Sequence, residues 1–230
     1  MTTHRSLTLL ITAGPTREPI DPVRFLSNYS TGVLGHRLVI EARKRGHRVL
    51  FVTGPTGLAA PRGAKTIAVE TALQMQEALA REFPAVDAVI MAAAVADFRP
   101  IRALPQKIKR SGAAGGLKFW RLDLVENPDL VAGLAARRTR QVLVGFALET
   151  TRGLANARAK LRNKQLDAIV LTQMNGQRAP FGDTTVDGAI VHADGGLRPF
   201  RRLAKPVLAR RVLDTVEHLV AQRGKTSSAA

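Results

Sequence analysis

The sequence has 230 residues, of which 45% are hydrophobic and 4% aromatic, and its formal net charge at pH 7 is +17. This length and composition fit one sizeable α/β domain, in which helices rich in Ala, Leu and Val cover a sheet. Because the sequence contains no cysteine, disulfides, thiolate metal sites and a cysteine nucleophile are excluded.

The high positive charge would ordinarily indicate a nucleic-acid-binding protein. The arginines, however, are spread along the chain in short clusters, and the chain has one Trp and one Tyr. Proteins that bind single strands stack bases on several aromatic side chains, and the sequence offers no such platform. We therefore expect no nucleic-acid partner, and we attribute the charge either to anionic substrates or to solvated helix faces.

The first apolar run, residues 7–12, follows Arg5 and superficially resembles a signal peptide, but it is only as long as a strand. We interpret it as the first strand. No apolar stretch approaches the roughly 20 residues that a membrane-spanning helix needs, so we expect a soluble, cytoplasmic protein with no membrane partner. One domain is expected over residues 1–224, followed by a disordered tail at 225–230.

A long polar loop, residues 13–32, follows the first strand and contains several Gly and Pro residues. It ends at an amphipathic helix, in which Leu34, Leu38 and Ala42 recur at helical spacing. The loop is much longer than the usual connection of about 2–6 residues. Because it joins the carboxyl end of a strand to a helix N-terminus, where open α/β sheets bind ligands, it is the first candidate site. An ordinary surface connection is the alternative.

The rest of the chain alternates strands and helices, which is typical of a parallel sheet. The predicted strands are residues 47–53, 66–69, 88–91, 142–147, 168–172 and 188–192. The predicted helices are residues 71–82, with Thr71 as N-cap and Leu73, Met75, Ala78 and Leu79 facing inward, 154–166 and 204–222. A turn at residues 194–196 indicates a hairpin near the C terminus, and residues 175–187 read as a loop.

Small residues follow the strand at 88–91, where Met91, Ala92 and Ala93 lead to Asp97. Small side chains at the end of a strand allow a flat ligand to approach the backbone, and Asp97 could accept hydrogen bonds from a base or a sugar. From residue types alone, packing explains such a run more often than a ligand pocket does. The segment at 99–116 has little periodicity and is basic, which predicts a mobile strap that could close over a triphosphate.

Two later stretches are ambiguous from residue types alone. Asn127 is the predicted N-cap of a helix, with Pro128 at its first position and Asp129 in its first turn. Lys160 and Lys164 are four residues apart on one helical face, where like charges repel and an anion between them would relieve the repulsion. Capping and solvent exposure, respectively, are the alternatives without a ligand.

Five stretches resemble, in order, the motifs of the phosphopantothenoylcysteine synthetase family. They are AGPTREPIDPVRF with the following SN and STG at 13–32, AAVAD at 93–97, KIK at 107–109, NPDL at 127–130 and GFALET at 145–150. The resemblance extends from about Leu9 to Val220. It implies an open, doubly wound (Rossmann-like), mostly parallel sheet, which agrees with the pattern of predicted elements.

The resemblance also implies an activity, the ligation of cysteine to 4′-phosphopantothenate in coenzyme A biosynthesis. CTP and Mg²⁺ would form an acyl-cytidylate intermediate with release of pyrophosphate. Bacterial members are mostly fused behind a flavin-dependent decarboxylase domain. We expect no FMN site in the present sequence, and a separate phosphopantothenoylcysteine decarboxylase is a candidate partner. Members are dimeric, and we expect a homodimer that uses the apolar hairpin at Ala189, Ile190 and Val191 with Leu197.

Site residues follow from the matched motifs, with Asn28 and Lys107 in catalytic roles. The nucleotide-binding residues implied by the resemblance are Met91, Ala92, Ala93, Asp97, Lys107, Asn127, Pro128, Asp129, Leu130, Phe146, Lys160 and Lys164. The expected substrate-binding residues are Gly14, Arg24, Asn28, Ser30, Thr31 and Gly32, with Arg24 and the helix start as candidates for the substrate phosphate. No metal ligands are identified.

One position departs from the family pattern, since Val33 stands where the family commonly has a basic residue. This weakens the assignment of the substrate phosphate to the helix start. Two other functions remain as alternatives, an NAD(P)-dependent Rossmann oxidoreductase and a non-catalytic basic adaptor. The oxidoreductase is disfavoured because the sequence has neither the G-x-G-x-x-G fingerprint nor a Tyr-x-x-x-Lys pair, Tyr29 being its single tyrosine.

Overall fold

The computed structural model describes residues 5–109, 120–174 and 180–227. The strands in these ranges are β1 (Thr8–Ala13), β2 (Arg17–Pro19), β3 (Phe25–Ser27), β4 (Arg48–Thr53), β5 (Lys65–Ala68), β6 (Ala88–Met91), β7 (Phe98–Pro100), β8 (Leu124–Glu126), β9 (Val142–Glu149), β10 (Ala168–Gln173), β11 (Thr185–His192) and β12 (Leu197–Ala204). The α-helices in these ranges are α1 (Val33–Lys44), α2 (Ala72–Glu82), α3 (Leu130–Ala136), α4 (Gly153–Asn163) and α5 (Lys205–Ser227). A short 3-10 helix, Phe83–Ala85, follows α2.

Eight strands form one sheet in the order β12-β11-β10-β9-β6-β1-β4-β5. The strands from β10 to β5 are parallel, whereas β11 and β12 form an antiparallel hairpin at one edge. The chain winds outward from β1 to β4 and β5, and then returns to place β6 on the other side of β1. This order confirms the predicted doubly wound fold and opens a crevice at the carboxyl ends of β1 and β6.

Helices cover both faces of the sheet. α1 and α5 pack on one face, through residues such as Leu38 and Leu208, and α2, α3 and α4 pack on the other, through residues such as Met75 and Leu161. The parallel strands are therefore buried on both sides, which explains why a strand such as β6 is apolar throughout. No helix in the described ranges combines the length and apolar character needed to cross a bilayer.

Part of the positive charge is used inside the fold. Arg45, at the end of α1, bonds to Glu41 of the same helix and to Asp214 and Glu217 of α5, with N–O distances between 2.8 and 3.1 Å. The contacts with Asp214 and Glu217 join α1 to α5, and the contact with Glu41 neutralises a carboxylate of α1. Arg45 is thus not simply part of a solvated basic surface.

The loop after β1 contains an antiparallel hairpin, formed by β2 and β3, that the sequence did not predict. The hairpin is held by contacts with distant residues. The Arg17 N–H donates to the Glu70 carbonyl (2.7 Å). The carboxylate of Glu18, which is 1% exposed, accepts the Ala72 N–H at the start of α2 (2.9 Å), where a negative charge is favourable.

Two helix starts show where cap predictions succeed and fail. Thr71 caps α2 as predicted and forms a capping box with Gln74. The predicted cap of α3, Asn127, is wrong, because Asp129 takes that position and accepts the Ala132 N–H through its carboxylate (3.0 Å). In α2, Leu73 is 43% exposed and does not face inward as predicted.

Three differences concern the C-terminal region. α5 runs to Ser227 and includes the first three residues of the predicted tail at 225–230, while residues 228–230 lie outside the described residues. The hairpin face proposed for dimerisation is corrected, because Ala189, Ile190 and Val191 are at most 6% exposed and pack inside the core. β11 begins at Thr185, within the segment predicted as a loop, of which residues 175–179 lie outside the description.

Candidate active site

A cavity of about 840 Å³ opens at the carboxyl edge of the sheet. One wall comes from the loop after β3 and the first turn of α1. The others come from the loop after β6, the segment before α3, and from β9, α4 and the start of α5. This volume lies within the range of small-molecule sites and is large enough for a nucleotide. The cavity is at the place predicted from the strand order, where the winding of the sheet reverses.

Hydrogen bonds join the loops that follow β1 and β6. The Ala94 N–H donates to the Gly14 carbonyl (2.9 Å), and the Thr16 N–H donates to the Ala94 carbonyl (3.2 Å). The hydroxyl of Thr16, a fully buried residue, accepts the Ala96 N–H (3.0 Å). The small residues after β6 allow this close approach, so the floor of the cavity is a fixed backbone surface.

Asn28 lines the cavity with an oriented amide. Its Nδ2 donates to the carbonyl of Ala94 across the crevice (2.9 Å). The neighbouring Ser27 hydroxyl donates to the Thr16 carbonyl (2.7 Å), which fixes the backbone beside it. A primary amide has two N–H donors and one acceptor oxygen. Within the described ranges the Asn28 amide bonds to Ala94 through one donor, which leaves the other donor and the oxygen for a ligand.

The first turn of α1 forms another part of the wall, with Ser30, Thr31 and Gly32 as lining residues. Gly32 is the N-cap, has φ 76°, and provides no side-chain cap. At Gly35, a Cβ would lie 2.3 Å from the Cβ of Ala13, so glycine is needed for α1 to pack directly on β1. The N-terminal end of α1 is therefore held at the cavity, where the N–H groups of a helix start favour an anion.

Lys160 and Lys164 line the opposite wall. The ammonium of half-buried Lys160 donates to the Phe146 carbonyl (2.8 Å). Burial, and after it the charge of Lys164, lower the pKa of Lys160 below its ordinary value of 10.5. Lys164 Nζ lies 3.0 Å from Asp129 Oδ2. Burial tends to raise the pKa of Asp129, but the Ala132 N–H and the Lys164 ammonium outweigh this effect and hold it below its usual value.

Most of the other predicted nucleotide residues also line this cavity. They are Met91, Ala92, Ala93, Asp97, Asn127, Pro128, Asp129, Leu130 and Phe146. Asn127 links two walls, because its side chain donates to the Ala96 carbonyl (2.8 Å) and accepts from the Arg99 guanidinium (3.1 Å). The Asn127 amide therefore joins the loop after β6 to the segment before α3, and it does not cap α3 as the sequence predicted.

Three predicted site residues, Gly14, Arg24 and Lys107, do not line the cavity. The Arg24 guanidinium donates to the Ile108 carbonyl (2.8 Å) and lies 3.5 Å from Asp21. The buried Asp21 carboxylate also accepts the Ile108 N–H (3.1 Å). Burial tends to raise the pKa of Asp21, but this N–H and the two other backbone N–H donors outweigh it and lower the pKa. The start of the predicted strap is thus bound to the β2–β3 hairpin, and residues 110–119 lie outside the description.

Lys205 lines the cavity and was missed by sequence reasoning. It is the first residue of α5 and only 5% exposed. A signal for it was present, since a lysine at a helix N-terminus faces the positive end of the helix dipole and is disfavoured there without a compensating contact. Pro180 and Phe181, from the segment before β11, were missed as well.

Comparisons with known proteins identify the family of the chain. The family model of the DNA/pantothenate metabolism flavoprotein C-terminal domain matches residues 4–220. The chain is similar to the coenzyme A biosynthesis bifunctional protein CoaBC of Bacillus subtilis, with 39% identity over 220 residues that cover 95% of this chain and 53% of that protein. The chain thus spans about half the length of the curated relatives it matches.

Solved structures show the same fold. A crystal structure of the C-terminal domain of CoaBC has a TM-score of 0.79 at 33% identity, over 95% of this chain and 97% of that one. A Cab2 mutant in complex with phosphopantothenate-cysteine has a TM-score of 0.67 at 18% identity, over 97% of this chain and 88% of that one. The second similarity concerns the fold alone.

Proposed function

The chain belongs to the family of DNA/pantothenate metabolism flavoprotein C-terminal domains, and on this basis we propose that it ligates cysteine to 4′-phosphopantothenate. The cavity is the observation that supports this function best. It combines the oriented amide of Asn28 with the ammonium groups of Lys160, in α4, and Lys164, at the end of that helix. A ligation that proceeds through a nucleotide needs a donor for the acyl carbonyl and cations for the phosphates.

The proposed reaction has two half-reactions. The substrate carboxylate attacks the α-phosphorus of CTP, which forms an acyl-cytidylate and releases pyrophosphate. The cysteine amine then attacks the acyl carbonyl, so that an amide bond forms, CMP leaves and the amine loses a proton. The nucleotide converts a carboxylate oxygen, which is a poor leaving group, into part of a good one. ATP in place of CTP is the alternative that the test below separates.

The side chains divide between the two steps. Lys160 and Lys164 would offset the negative charge on the phosphates during the first step, because fixed cations in a water-poor site act strongly on developing charge. Asn28 would hold the acyl carbonyl during the second step. Phe146 and the small residues after β6 offer an apolar surface and an accessible backbone for the base.

Mg²⁺ would enter with the nucleotide. The described residues contain no cluster of three or more His, Asp or Glu side chains that could hold a metal ion. This fits an ion that binds mainly to phosphates and water with one or two carboxylates. Asp97 lines the cavity and would be such a carboxylate, whereas Asp129 already pairs with Lys164. The ion would supply further charge to the triphosphate.

The proposal is tested by measuring pyrophosphate release from CTP, ATP, GTP and UTP with 4′-phosphopantothenate, first without cysteine and then with it. We expect release with CTP and formation of 4′-phosphopantothenoylcysteine when cysteine is added. No release with any nucleotide would contradict the ligase function. Turnover of NAD(P) with a reducible substrate would favour the oxidoreductase alternative.

Lys107→Ala tests the proposed closure of the strap. Lys107 is exposed and outside the cavity, so it can act on the phosphates only if the segment around it moves when the nucleotide binds. We expect Lys107→Ala to slow pyrophosphate release by about tenfold or more. Lys44→Ala, which removes an exposed lysine of α1, is the control. Wild-type release by the Lys107 variant would eliminate strap closure.

We also propose that the protein forms a homodimer. β2 packs beside β7. Val23 and Phe25, in the β2–β3 hairpin, are 58% and 45% exposed, and Ile101, directly after β7, is 67% exposed. Exposed apolar side chains on elements that pack beside each other are suited to pairing with a second copy. We expect a dimer in sedimentation velocity that Ile101→Ser weakens. Leu197→Ser changes the C-terminal hairpin that the sequence suggested for dimerisation, and it should leave the dimer intact. A wild-type monomer at catalytic concentrations would refute the proposal.

A further inference from the structure

Lys205 is a buried cation that the proposed mechanism does not use. Its ammonium donates to the carbonyl of Pro180 (2.7 Å) and to the carbonyl of Gly182. Among the described residues no carboxylate lies within ion-pair distance of it, and Asp183, the nearest acidic influence, pairs instead with Arg37 (2.8 Å). Burial lowers the pKa of Lys205, so holding this charge in the fold has an electrostatic cost.

Its surroundings increase that cost. Lys205 begins α5, whose first turn contains no acidic residue, so the positive end of the helix dipole adds to its charge. It is also linked to the start of α1, because the Gly182 N–H donates to the Thr31 hydroxyl (3.1 Å). Val33, in the first turn of α1, lines the same cavity without a charge. An anion in the cavity would compensate both the Lys205 ammonium and the positive end of the α5 dipole.

An ammonium has three donors, and the two carbonyls use two of them. We propose that Lys205 binds a phosphate group of a ligand in the cavity, at the side formed by the starts of α1 and α5. This inference rests on the proposed function for the identity of the ligand, which has phosphate in two places. The phosphate belongs either to 4′-phosphopantothenate or to the triphosphate of the nucleotide.

The test uses Lys205→Met, which keeps the apolar stem and removes the charge, and measures dissociation constants by calorimetry. The ligands form pairs that differ in phosphate: 4′-phosphopantothenate with pantothenate, and CTP with cytidine. We expect Lys205→Met to weaken one phosphorylated ligand by about 10–100-fold, as for a lost hydrogen bond between charged groups, and to change its unphosphorylated counterpart less than about threefold. The pair that responds identifies the source of the phosphate.

Two controls separate a ligand contact from a structural tie. Lys44→Met removes an exposed lysine outside the cavity and should change none of the constants. Lys205→Arg keeps the charge and should recover part of the affinity. Equal losses within both pairs would mean that Lys205 only holds the segment of Pro180 and Gly182 in place, and would overturn the proposal, as would unchanged affinities.

Pyrophosphate as a third probe separates this inference from the proposed function. If the wild-type protein does not ligate but binds pyrophosphate, and Lys205→Met weakens that binding, the phosphate site stands and the ligase function falls. If the wild-type protein ligates and Lys205→Met binds every probe normally, the function stands and the site falls. Absence of wild-type binding to pyrophosphate, CTP and 4′-phosphopantothenate would overturn both.

Discussion

Asn28→Asp is expected to form the acyl-nucleotidylate at close to the wild-type rate and to transfer the acyl group to cysteine about 10²–10³ times more slowly. Negative charge on the carbonyl oxygen rises mainly when the amine attacks. A carboxylate at position 28 has no N–H to donate to that oxygen. The intermediate should therefore accumulate, and mass spectrometry of quenched mixtures should detect it together with released pyrophosphate.

The geometry of Asn28 supports this separation of the two steps. Its bond to the Ala94 carbonyl (2.9 Å) orients the amide and leaves one N–H for the ligand. Asn28→Asp also adds a negative charge near the phosphates, so Asn28→Ala, which removes the donor without adding charge, is the matched control. Both variants should show the same selective loss in cysteine transfer.

A purely structural role for Asn28 gives a different result. If the amide serves only to join the loop to Ala94, then both half-reactions should fall together, and the melting temperature should fall with them. Turn-forming asparagines often have such local roles. Absence of a trapped intermediate in both variants would therefore reject the oxyanion role.

The regular parts of the fold were predictable because they depend on local pattern. β6 is continuously apolar and buried on both faces, and Thr71 and Gln74 form a capping box from neighbouring residues. The hairpin of β2 and β3 was not predictable in this way. Its strands have three residues each, too few to show periodicity, and distant partners hold them.

The candidate site shows the same division. Helical spacing predicted that Lys160 and Lys164 share a face, and the family resemblance directed that face toward the ligand; both residues line the cavity. The sequence could not indicate that Lys164 would pair with Asp129, since one residue caps the end of α4 and the other caps the start of α3. Arg24 belongs to the loop at 13–32, part of which lines the cavity, yet its guanidinium bonds to the Ile108 carbonyl outside the cavity. Lys205 was missed because its partners, the carbonyls of Pro180 and Gly182, lie in the irregular segment before β11, more than twenty positions earlier in the chain.

Lys160→Met is expected to reduce pyrophosphate release by about 10²-fold or more, since it removes a fixed positive charge from a partly dehydrated phosphate site. The same change should leave the melting temperature unchanged or raise it. In the described part of the chain, the Lys160 ammonium has a carbonyl partner but no carboxylate within ion-pair distance. Without a ligand, this charge therefore costs stability.

The sign of the stability effect follows from the lowered pKa of Lys160. Between that pKa and the ordinary value of 10.5, the unfolded chain binds more protons than the folded one, so stability rises with pH across this window. At neutral pH the folded protein carries the full cost of the buried charge. Lys160→Met removes that cost and should flatten this part of the stability profile.

The activity of the wild-type protein should depend on the same proton in the opposite direction. As the pH rises through the lowered pKa of Lys160, the ammonium is lost and pyrophosphate release should fall, at a lower pH than an ordinary lysine would give. Lys160→Met should lack this alkaline decline, and Lys44→Met should retain it. If the melting temperature of Lys160→Met falls along with its activity, the lysine supports the fold through Phe146 and does not act on the phosphates.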